Sequence, residues 1–284
     1  MAGIRENVGL VLLALVFIFF CAWKALGWRN LHPSRRLAIT VGIVFSLVSI
    51  VISAVNPPWA GRWILGTVIS AFLGYGLLYS LGRKQHEKTL DSFAAETGMT
   101  AVRTPQDEES SKELADLKKW MDRDLYKWKV SGQYPALVQK RGPWTLVVRV
   151  PLAVDFDLNA PDYTVFAYIR KIPMNTIIIA EMPLKEKDKP KKIFTTGDPE
   201  FDKRYYLTGV SASDALAVFK DEVRDYFKKL TSFSGWVRLE RFGIYYYMPG
   251  MVGSRDDLEK SIALLDLLAK AVEKGAEEGE LKEP

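Results

Sequence analysis

The chain has 284 residues, a formal charge of +5, one cysteine and two histidines. Cys21 alone excludes an intrachain disulfide framework and a cysteine-built zinc site. With histidine only at His32 and His86, the chain beyond His86 has no residue for a Ser/His/Asp or Cys/His catalytic site.

The charge is unevenly placed. Residues 1–82 carry six basic side chains, Arg5, Lys24, Arg29, Arg35, Arg36 and Arg62, against the single acid Glu6, which leaves 33 basic and 33 acidic side chains for residues 83–284. The excess belongs to the amino-terminal section, where cations set membrane topology. The remainder has no net field to draw a polyanion, so nucleic acid is not expected as a partner.

The amino-terminal section reads as three transmembrane helices, over about residues 8–28, 37–57 and 63–82. Each run is close to the ~20 residues that span a ~30 Å hydrocarbon core. None shows the polar stripe of a helix lying on a soluble core. Trp23, Trp28, Trp59 and Trp63 stand at the expected interfaces, and Asn56-Pro57-Pro58 ends the second helix. Lys24, Arg29, Arg35, Arg36, Arg83, Lys84 and Lys88 fall on one side of the bilayer, Arg5 and Arg62 on the other. That bias places the amino terminus outside and residues 83–284 in the cytoplasm. The alternative is a cleaved signal peptide over residues 1–25, which would put Arg35, Arg36, Arg83 and Lys84 on the wrong side. Small residues recur along two helices, Gly66, Ser70 and Gly74 on the third and Gly42, Ser46, Ser49 and Ser53 on the second. They are expected to pack these helices on one another, or to form a homo-oligomer interface. Gly74-Tyr75-Gly76 echoes a potassium-channel filter but lacks the spanning helix that would follow one.

Residues 83–284 are expected to form an α+β domain. A helix over 83–97 should end at Gly98, followed by a short strand over 99–102. The polar stretch 104–111 reads as a loop, and Leu114, Leu117, Met121, Leu125 and Trp128 mark a helix over 112–127. The period then falls to two. Strands are expected over 129–130, 134–140, 144–151, 163–171, 176–182 and 204–207. Helices over 213–219 and 221–230 precede a hairpin of 236–242 and 244–248 around Gly243. The last helix, 254–274, starts at a Ser254/Asp257 capping pair and should stop at Gly275. Consecutive hairpins imply an antiparallel sheet with helices on one face.

Three features invite a chemical reading. In TTGDPEFDKRYY (195–206), Asp198, Glu200 and Asp202 alternate and are candidate metal ligands for a metal-assisted enzyme. A calcium loop starting at Asp198 is excluded, because its sixth and twelfth positions would be Lys203 and Gly209. The plainer reading is a turn, capped by Asp198 and anchored in the core by Phe201. Tyr245, Tyr246 and Tyr247 on one strand must divide between its two faces. The lysine-rich 185–192 is a solvated loop or an anionic-lipid contact. Asp155 and Asp157, flanking Phe156, read as a surface loop.

Thr196–Asp202 resembles a segment of poorly characterised membrane-anchored proteins whose α+β domain carries a TGDPEFD-like turn before a strand. The resemblance implies a shared domain type and transfers no activity. No cofactor is expected, since neither a G-x-G-x-x-G nor a Walker loop is present. The expected function is a membrane-anchored module that binds a partner protein or supports assembly of a membrane complex. The alternatives are the carboxylate enzyme and an oligomeric transport or channel component.

Overall fold

A computed structural model describes residues 80, 83–123, 125–126, 130, 133–150, 163–182, 190–230 and 233–281. Apart from Ser80, the segments 8–28, 37–57 and 63–82, with their small-residue faces, lie outside the described residues; so do Asp155, Asp157 and residues 183–189. Among the described residues, no helix is long and apolar enough to cross a membrane. The chain divides into two compact units, one of residues 1–85 with 157–162, the other of 86–156 with 163–284. The second unit is α+β.

Helix α1 (83–97) ends at Gly98, whose φ of +69° a side chain would resist. Strand β1 (Thr100–Val102) follows. The expected loop over 104–111 is instead a helix, α2 (Pro105–Ser110). Thr104 and Asp107 form a reciprocal capping box around Pro105 at its first turn, which outweighs the polar composition. Helix α3 (Lys112–Trp120) is shorter than its periodicity suggests. Met121 turns extended, and the Asp122 carboxylate accepts the Leu125 N–H at 2.8 Å, capping a fresh turn.

Strands β2 (Gln133–Arg141), β3 (Trp144–Val150), β4 (Tyr163–Ile169) and β5 (Ile177–Glu181) come next. Helix α4 (Pro199–Arg204), β6 (Tyr205–Gly209), α5 (Ala212–Val218) and α6 (Asp221–Lys229) lead to β7 (Trp236–Glu240) and β8 (Gly243–Pro249). The closing helix α7 (Arg255–Glu277) runs past the expected stop at Gly275. Leu281 Cγ lies 3.3 Å from where a Cβ on Gly275 would stand, so this glycine serves close packing. The stop is Gly279, at φ +70°, with Glu280 N–H on the Gly275 carbonyl and Gly279 N–H on that of Ala276.

All eight strands form one antiparallel sheet in the order β1-β2-β3-β4-β8-β7-β5-β6. Helices lie on both faces, not on one. The first face carries the main core, where Leu258, Ile262, Leu265 and Leu268 of α7 join Phe166, Tyr168, Ile244 and Tyr246 of β4 and β8. Beside them, Phe201, Tyr205, Phe219, Phe227 and Phe233 interlock with centroids 5.3–6.4 Å apart. The second face has a smaller core under α3, from Leu114 and Leu117 to Val138, Val147, Val165 and Tyr245. Apolar residues on both faces of β2, β3 and β4 required a second layer that period-2 alternation alone did not reveal.

Phe201 is fully buried at the centre of the ring cluster. Phe201→Ala is expected to lower the unfolding free energy by about 3–5 kcal/mol, read from the urea midpoint at unchanged slope. A loss under about 1 kcal/mol would mean the cluster collapses around the void.

Candidate functional site

The TGDPEFD segment folds into a knot of hydrogen bonds. Asp198 Oδ1 accepts the N–H groups of Glu200 and Phe201, both at 3.1 Å, and its Oδ2 receives Lys228 Nζ at 2.8 Å. Asp202 accepts Thr196 N–H at 3.1 Å and the Thr196 hydroxyl at 2.8 Å. Arg224 donates to the Thr196 carbonyl at 2.8 Å. Glu200 is exposed on the first turn of α4. The alternating carboxylates therefore sit on one segment yet aim at three different surroundings. Among the described residues, no group of three His, Cys, Asp or Glu side chains is placed to hold a metal ion.

A different surface is laid out by strand register. Partners directly opposite in a sheet share a face. One row across the second face runs Tyr206, Ala180, Trp236, Tyr247, Val165, Arg149. The next runs Thr208, Ile178, Arg238, Tyr245, Ala167, Val147. The β3, β4 and Tyr245 members are buried, whereas Tyr206, Ala180, Trp236, Tyr247, Thr208, Ile178 and Arg238 stay part-exposed.

Aromatic rings organise this open half. Trp236 stacks on Tyr247 at 4.9 Å and 15°, and Tyr163 meets Trp236 edge-on at 4.8 Å. Burial raises the Tyr163, Tyr206 and Tyr247 phenols above their usual value, so the rings carry no charge at neutral pH. Arg238 Nε lies 2.7 Å from Glu240 Oε2, close enough for an ion pair but without hydrogen-bond alignment. At the closed end of the row, burial pushes the Arg149 guanidinium down to about 10, and it is 4% exposed. The surface is thus flat, aromatic and β-branched, with one internal ion pair. Among the described residues it holds no nucleophile–base pair.

Of the three tyrosines singled out in sequence, Tyr246 points into the main core, and Tyr245 and Tyr247 belong to the second face. Sequence reasoning missed Ile178, Ala180, Trp236 and Tyr206. The available signal was TIIIAEM, where apolar residues fill both faces of a strand that no second helix layer follows.

No protein-family model matches the chain, and no curated protein matches it. Among solved structures, the crystal structure of the mycobacterial trehalose monomycolate transport factor A, TtfA, aligns at a TM-score of 0.42 and 14% identity, over 66% of this chain and 93% of that chain. A likeness at that level assigns neither fold nor function.

The Asp198 cap gives a pH test. The Lys228 hydrogen bond and the Phe201 N–H hold its carboxyl below the ordinary 3.8. Its contribution is therefore complete above that ordinary value and fades as pH falls through the lowered folded one. The melting-temperature gap between wild type and Asp198→Ala should be constant from about pH 7 to about pH 5 and narrow below about pH 4. A gap still undiminished at about pH 2 would show that the carboxylate charge is not what the cap uses.

Proposed function

We propose that the chain is a multi-pass membrane protein whose α+β domain, in the cytoplasm, docks a partner protein within a membrane complex. The membrane part of this reading rests on sequence: three charge-free runs of spanning length at 8–28, 37–57 and 63–82, tryptophans at their ends, and the lysine and arginine bias across them.

The observation that carries the docking part is the half-open second face of the sheet. The same face is sealed by α3 over β2, β3 and β4, yet Tyr206, Ala180, Trp236, Tyr247 and Ile178 remain part-exposed along β8, β7, β5 and β6. Rigid aromatic rings on a strand scaffold lose little entropy when covered, which is why Trp and Tyr dominate binding hot spots. The partner's matching surface is apolar at its centre and polar at its rim, opposite the Arg238–Glu240 pair.

Two measurements test this. A reporter fused after residue 90 is expected to show a cytoplasmic domain; an external signal overturns the topology. A photo-crosslinking amino acid at Tyr206 in the full chain, in its native membrane, should give one discrete hetero-adduct. Ile178→Glu should reduce that adduct by about tenfold, because a charge at the centre of a desolvated face is not compensated. No adduct would sink the docking face. An adduct at twice the chain mass would replace the partner protein with a second copy of the chain.

A further inference from the structure

A third row on the second face runs Lys140, Thr145, Ile169, Gly243, Glu240, at the end of the sheet away from Trp236. There the sheet floor, the last turn of α3, the β2–β3 turn and the β7–β8 turn surround an open cavity of about 490 Å3. Its volume is that of a small-molecule site. The segment after β4 is pinned beside the β7–β8 turn by a 2.8 Å hydrogen bond from Ile172 N–H to the Arg241 carbonyl. Trp120, 41% exposed, lies over Phe242 with centroids 6.3 Å apart and planes at 25°, forming an aromatic wall.

Four cations and one acid line this cavity: Lys140, Arg170, Lys171, Arg241 and Asp116. Arg170 is committed to Glu273 at 3.0 Å, and Asp116 to Lys119 at 2.7 Å. Lys140, Lys171 and Arg241 hold no ion pair among the described residues; Arg241 rests near the Phe242 ring, 5.8 Å from its centroid. Three cations without an ion pair among the described residues therefore meet at one spot, with Asp116 the one acid in the lining. The cavity also has a buried donor. Thr145 is 1% exposed, lines the cavity, and its hydroxyl makes no hydrogen bond among the described residues.

We propose that this cavity binds the phosphate group of a small molecule, with Lys140, Lys171 and Arg241 around the anion, Thr145 donating from the floor, and the Trp120–Phe242 wall against the rest of the ligand. The match is one of charge and shape. A phosphate ester brings about −1.5 to −2 charges and three acceptor oxygens, whereas a single carboxylate would leave two of the three cations uncompensated. The negative end of the α3 dipole opposes an anion here by about half a charge, which the three cations outweigh. Phosphate on a lipid headgroup and phosphate on a soluble metabolite share this chemistry. The inference is independent of the docking face, which uses other rows of the sheet.

The test is calorimetric titration of the full chain, in phosphatidylcholine nanodiscs, with inorganic pyrophosphate. Lys140→Gln/Lys171→Gln/Arg241→Gln should weaken binding by about tenfold or more, because each substitution removes a charge-assisted donor. All three residues lack ion pairs, so the variant should fold with an unchanged melting temperature. The control Lys191→Gln/Lys229→Gln/Lys270→Gln removes as much charge from exposed sites elsewhere and should bind as wild type. Absence of pyrophosphate binding overturns the proposal, and so does equal weakening in the two triple variants. Thr145→Val should weaken binding further in the wild-type background; no change would remove the floor donor from the site. Repeating the titration in nanodiscs with added phosphatidylglycerol separates the sources. Competition assigns the site to a lipid headgroup, and unchanged affinity assigns it to a soluble phosphate.

Discussion

The pairing of β4 with β8 is the constraint on which the rest depends. Seven residue pairs, from Tyr163 opposite Pro249 to Ile169 opposite Gly243, join the ladder β1-β2-β3-β4 to the ladder β8-β7-β5-β6. A slip of one residue would exchange the faces of every side chain on one half relative to the other. Tyr246 would leave the main core and Tyr245 and Tyr247 would enter it. Two devices pin the register. Gly243, at φ +147°, brings its backbone so close to the Tyr168 carbonyl that an added Cβ would lie 2.3 Å from that oxygen. Helix α7 then packs on both strands at once and ties down the end of β4 together with the β2–β3 hairpin. Asp266 accepts from the Tyr168 hydroxyl and from Arg141 at 3.1 Å, and Glu273 accepts from Trp144 Nε1 at 2.7 Å and Arg170 at 3.0 Å. Burial, then the Asp266 carboxylate, raises the Tyr168 phenol, so its hydroxyl stays a donor.

With the register fixed, the two faces acquire different fates. The first is closed from end to end by α1, α5, α6 and α7. Among the described residues, the second is closed where α3 and the turn after it lie; nine helical residues cover about 13 Å and cannot reach across strands spaced ~4.8 Å apart to β6. The uncovered remainder is apolar along β5 and aromatic along β7 and β8. Exposed solvent faces of antiparallel sheets are normally polar, so this apolar composition is what the proposed docking role rests on.

Much of the fold was legible in sequence and some of it was not, for identifiable reasons. The hairpins of β2–β3 and β7–β8 and the final helix follow from local rules: a Gly-Pro turn, period-2 runs, and the Leu258, Ile262, Leu265, Leu268 stripe. Helix α2 did not, because PQDEES looks like loop unless the Thr104/Asp107 box is weighed above composition. Gly275 misled for the opposite reason: a glycine near a helix end usually stops it, but this one makes room for Leu281. The docking face and the cavity were illegible because both are products of register. Lys140, Lys171 and Arg241 are distant in sequence, on segments that only the sheet order brings together. Asp198, Glu200 and Asp202 are neighbours in sequence whose carboxylates have different surroundings. The backbone of their own turn takes two of the three as hydrogen-bond acceptors.

The two surfaces share β7 and β8, so the stiffness of those strands decides whether they communicate. The docking rows cross β7 at Trp236 and Arg238, while the cavity uses the turn Arg241–Phe242 that closes the same hairpin. Phe242 is held by its carbonyl, which accepts the Tyr245 hydroxyl at 3.1 Å, and Arg241 by its carbonyl on Ile172 N–H. Both anchors are to a packed core with no second arrangement of the hairpin in view. A ligand can couple two sites only through an element with two states that it binds unequally. With the hairpin in the one arrangement that these anchors hold, occupancy of the cavity and of the proposed docking face should be energetically additive.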